Sequence, residues 1–130
     1  MFLNSLTLEQ KKAFLSIAMK IIGADGILET RERQMIETMR YEMGLYNETD
    51  LPKGEIEDVA KTFDTRKSRT IVMLESISLA YADENLGGEE QKILRALALM
   101  FEISEEEATA MENWVKRYKE LYQEAVAMFE

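Results

Sequence analysis

Apolar residues recur along this chain at the spacing of an α-helix, and no segment alternates with period two for long enough to make a strand. That periodicity sets the fold class: all-α, a compact bundle of about six helices. Thr7 followed by Gln10 is a capping-box start. Behind it Phe14, Ile17, Ala18 and Ile21 line one face, widened by Leu15, Met19 and Ile22. Only a thin polar strip remains at Lys12, Ser16 and Lys20, which predicts a central helix ending near Gly23–Asp25. Thr30 is the expected cap of a second helix that turns Met35, Ile36, Met39 and Met43 inward and stops at a left-handed Gly44. A short third helix is expected over about residues 54–63. A fourth runs from Asp64 or Thr65 to about Ala82, and a fifth follows Gly88. Ser104 with Glu107 opens a long last helix whose stripe is Ala108, Met111, Val115, Tyr118, Tyr122, Ala125 and Phe129. The nine methionines and the aromatic stripe read as core packing. Trp114, Leu121 and Met128 flank the last stripe and form the candidate apolar docking patch.

The bulk composition narrows the chemistry. At 130 residues the chain is the size of one domain, and its single proline, Pro52, suits long helices. Cysteine and histidine are both absent. Disulfides, Cys/His zinc sites, haem ligation and the Ser–His or Cys–His catalytic pairs are therefore excluded. The lack of disulfides suits a reducing compartment, and the N-terminal residues do not form a secretory signal, so the expected location is cytoplasmic. No apolar run reaches the length of a bilayer span. A net charge of −9 disfavours nucleic acid and anionic lipid, and points instead to a cation or a basic protein patch. The clusters Arg66/Lys67/Arg69 and Lys116/Arg117/Lys119 read as solvated helix surface.

An offset of 58 positions aligns residues 21–45 with residues 79–103 without gaps. Ala24, Asp25, Leu28 and Glu32 match Ala82, Asp83, Leu86 and Glu90, and the apolar positions Met35, Ile36, Met39 and Met43 match Ile93, Leu94, Leu97 and Phe101. The pattern reads as a duplicated helical hairpin around the central helix. Each unit places an aspartate at a helix end, against the dipole, and a glutamate in the first turn of the next helix, with the dipole. Two carboxylates about 5 Å apart at an effective dielectric near 20 repel by roughly 3 kcal/mol. A hard divalent cation (Ca²⁺, Mg²⁺ or Mn²⁺) held by Asp25, Glu32, Asp83 and Glu90 would offset that repulsion. Turn N–H groups bonded to the aspartates would offset it equally well. Neither turn is an EF-hand: position 12 is Ile36 in one and Leu94 in the other.

At these residues the chain resembles the TerB-like (tellurite-resistance TerB) family. The marks are A-D-G-x-L-x-x-x-E at Ala24–Glu32 and a degenerate copy, A-D-E-x-L-x-x-x-E, at Ala82–Glu90. The resemblance covers most of the chain as a single domain, 1–130. It implies two helical units packed around a central helix, with acidic positions proposed to bind metal. It also implies a role in stress-response or tellurite-resistance complexes without enzymatic activity. The expected function is thus a non-catalytic module that binds a divalent cation or a basic partner through its acidic turns. The alternative is a purely structural interaction domain, a homodimer or scaffold, docking through Trp114, Leu121 and Met128. A carboxylate-only metal-assisted hydrolase is the third reading.

Overall fold

Two long capped helices carry the interior. A computed structural model describes residues 2–23, 30–45, 51–82 and 87–130. Among these residues six α-helices follow in order: α1 Leu8–Ile22, α2 Thr30–Glu42, α3 Ile56–Val59, α4 Arg66–Ala82, α5 Gly88–Met100 and α6 Glu105–Met128. No strand occurs among the described residues. One-turn 3₁₀ segments at Leu3–Ser5 and Ala60–Thr62 complete the set.

The capping box that opens α1 is complete: Gln10 N–H donates to Thr7 Oγ1, and Thr7 N–H donates to Gln10 Oε1. Phe14, Leu15, Ile17, Ala18 and Ile21 are at most 1% exposed, so α1 is buried on most of its circumference. Its most extensive neighbour is α4, which buries Ile71, Val72, Met73, Ile77, Leu79 and Ala80. The interior is therefore built on a central pair of helices. α2 and α3 pack on α1, while α5 and α6 pack on α4. Phe63 and Phe101 meet edge to face at 6.0 Å between ring centroids within this core.

Four expectations are corrected. Met19 is exposed, whereas Ser16, assigned to the polar strip, is buried because its hydroxyl donates to the Pro52 carbonyl at 2.9 Å. Thr30 is the first helical residue of α2. The stripe of α6 is buried only as far as Val115; Tyr118, Tyr122, Ala125 and Phe129 are exposed, because the described residues of the body leave that face of the helix uncovered.

Candidate functional site

The 58-residue offset holds at the level of individual hydrogen bonds and extends upstream of residue 21. Ser68 N–H donates to Thr65 Oγ1, and Thr65 N–H to Ser68 Oγ, so Thr65/Ser68 cap α4 as Thr7/Gln10 cap α1. At the far ends, Leu45 N–H donates to the Arg40 carbonyl at 2.8 Å and Ile103 N–H to the Ala98 carbonyl at 2.9 Å. These are matching Schellman stops, and their left-handed residues are Gly44 (φ 72°) and Glu102 (φ 57°). Among the described residues, the helix pairs α1/α2 and α4/α5 thus share their opening caps and closing stops at one offset. The sequence pattern missed the upstream part because Ser68 is not the Glu or Gln that marks a capping box.

Of the four acidic positions, Glu32 and Glu90 fall at equivalent places in the first turns of α2 and α5. Both are buried, at 5% and 7% exposure, and both take part in interactions within the protein. The favourable end of the helix dipole accounts for a carboxylate in this position. Asp25 and Asp83 lie outside the described residues. Among the described residues, no three Asp, Glu, His or Cys side chains converge as a metal site. A third buried carboxylate, Glu75 of α4, accepts the Phe2 amide at 2.8 Å and so ties the N-terminal segment to the core. Its counterpart at the 58-residue offset is Ile17, so the repeat pattern carried no sign of it.

A groove of about 530 Å³ runs between α4, α5 and α6. Its walls are Met73, Leu94, Ala98, Ile103 and Ala108, with Arg95 and Glu112 among its polar edges. Of the two acidic positions among the described residues, neither Glu32 nor Glu90 lines it.

The other surface of note is α6 itself. Its N-terminal part is fixed by Ser104 accepting from Glu107 N–H, by buried Val115, and by Trp114 against Phe2 at 6.1 Å between ring centroids. Tyr118 stacks on Trp114 at 5.5 Å, and Lys119 Nζ donates to the Tyr81 carbonyl at 3.2 Å. Lys116 lies over the Tyr81 ring at 5.5 Å. The basic cluster on α6 is therefore partly a clamp to α4 rather than only solvated surface. Beyond Lys119 the helix continues for about 14 Å, at 1.5 Å per residue, with no buried residue. Leu121, Tyr122, Met128 and Phe129 are 61–86% exposed there. Of the expected docking patch, Leu121 and Met128 are open, while Trp114 is half-buried as its base.

No family model matches the chain, and no curated protein or solved structure does either. No helix among the described residues is long and apolar enough to cross a membrane.

Proposed function

We propose that this protein is a non-catalytic interaction module that docks through the projecting half of α6. The supporting observation is the stripe Tyr118, Leu121, Tyr122 and Met128 on the regular helix α6, continued by its C-cap Phe129, each at least 40% exposed. Single exposed apolar side chains are ordinary, but a contiguous row of large ones marks an interaction surface. Most helical stability in proteins comes from packing an apolar face, and here that face lacks a cover within the described residues. A module of this kind suits the stress-type complexes that the TerB-like resemblance implies.

The test uses an environment-sensitive apolar dye together with amide hydrogen exchange. The intact chain should bind the dye and protect the amides of residues 116–128 as a helix. Leu121→Glu should remove most of the dye signal and leave the melting temperature within about 2 °C, since the site is exposed. Dye binding unchanged by Leu121→Glu would reject the α6 surface.

A second reading, a divalent cation held by Asp25, Glu32, Asp83 and Glu90, is favoured by the burial of both equivalent glutamates. Ca²⁺, Mg²⁺ or Mn²⁺ at one hundred times its Kd should then stabilise the fold by about 2.7 kcal/mol. Asp25→Asn with Glu32→Gln should reduce that gain. Absence of any thermal shift at millimolar metal removes this reading and leaves the first intact.

A further inference from the structure

From half-buried Trp114 outwards, α6 carries a second regularity. Trp114, Tyr118, Leu121, Ala125 and Met128 succeed one another at steps of four, three, four and three residues. That is the 3.5-residue average of a coiled-coil seam, which calls for another helix as its cover. In heptad terms Met111, Tyr118 and Ala125 are a positions, and Trp114, Leu121 and Met128 are d positions. The g positions are Arg117 and Glu124, of opposite charge; the e position Tyr122 is apolar, and so is Phe129, the C-cap that follows the last helical turn.

These flanking residues decide what fits and in which direction. In a parallel pair, g lies beside e of the neighbouring heptad, so Arg117 would meet Tyr122 and Glu124 would meet Phe129, with no charge matched. In an antiparallel pair, a faces d and g flanks g. With Tyr118 opposite Leu121 of a second copy, the same register sets Trp114 opposite Ala125, the bulkiest side chain against the smallest. It also sets Met111 opposite Met128, and Arg117 beside Glu124. The two-fold axis repeats every one of these contacts. A foreign helix would not require the stripe to be complementary to itself. The apolar e positions have a place as well. Val115, on the same side of α6, is buried in the domain body. Tyr122 and Phe129 of one copy would therefore lie towards the body of the other.

We infer that a second copy of this chain covers α6, the two helices running antiparallel with Arg117 of each beside Glu124 of the other. This inference rests on the interaction-module reading and names its partner. The experiment is sedimentation equilibrium of the full chain and its charge variants across micromolar to millimolar concentration. The intact chain should sediment at twice its 15.0 kDa mass. Arg117→Glu and Glu124→Arg should each raise the dimer Kd about tenfold, because each turns two attractions into two repulsions. The double variant Arg117→Glu/Glu124→Arg should recover to within about threefold of the intact chain. Gln123→Glu, on the side of the helix away from the seam, should change Kd less than about twofold. Dimers indifferent to both single reversals, or a double variant that fails to recover, would overturn the antiparallel pairing. A chain monomeric throughout would overturn the second copy as occupant. If the monomer still binds the dye in a Leu121-dependent way, the α6 docking surface stands. If it binds none and residues 116–128 exchange as coil, both readings fall.

Discussion

Gly44 and Glu102 occupy the same place in the two hairpins, yet only glycine adopts a left-handed φ without strain. An L side chain there costs about 1 kcal/mol. Glu102→Gly should therefore raise the urea midpoint by the equivalent of about 0.5–1 kcal/mol, and Gly44→Ala should lower it by about 1 kcal/mol. Glycine announces such a stop in sequence and glutamate does not, so Gly44 was legible and Glu102 was not. Ser76 makes a similar case. It is fully buried, and its hydroxyl has no hydrogen-bond partner among the described residues. The equivalent residue of the first unit is Ala18. Ser76→Ala removes a desolvated hydroxyl at almost no change in volume and should stabilise the protein by about 1 kcal/mol in the same denaturation assay.

Helix ends follow from local chemistry, and the chain states that chemistry openly for α1 and α6. Thr7→Ala should cost about 1 kcal/mol through loss of the cap, read as a lower melting temperature. What lies against a helix is a different matter. Periodicity reports that α6 has an apolar face, but cannot report that the body ends near Val115 while the helix does not. The expectation of core packing beyond that point failed for this reason. Removing residues 120–130 should leave the melting temperature of a dilute sample within about 2 °C, because that segment buries nothing in its own domain. The acidic positions divide in the same way. The place of Glu32 and Glu90 in first helical turns was readable from spacing, but their burial depends on how closely α2 and α5 lie on their neighbours.

At the scale of the molecule, one interior joins both units, with Phe14 near its middle at 1% exposure. Phe14→Ala should cost about 3–5 kcal/mol, a large part of the 5–15 kcal/mol typical of a domain. Calorimetry should show the transition falling sharply while remaining single. The matched capping boxes and Schellman stops place α1 and α4 in corresponding roles, and each has the other as its most extensive neighbour. A polypeptide holding one unit alone would show water a bare apolar helix, and its remedy would be a twin. Covalent linkage of two such twins makes their encounter intramolecular, at a local concentration that dilution cannot lower. The present chain thus has the architecture of a dimer made permanent, in which each half can carry features of its own, such as Glu75 or a glutamate in place of glycine at the left-handed stop.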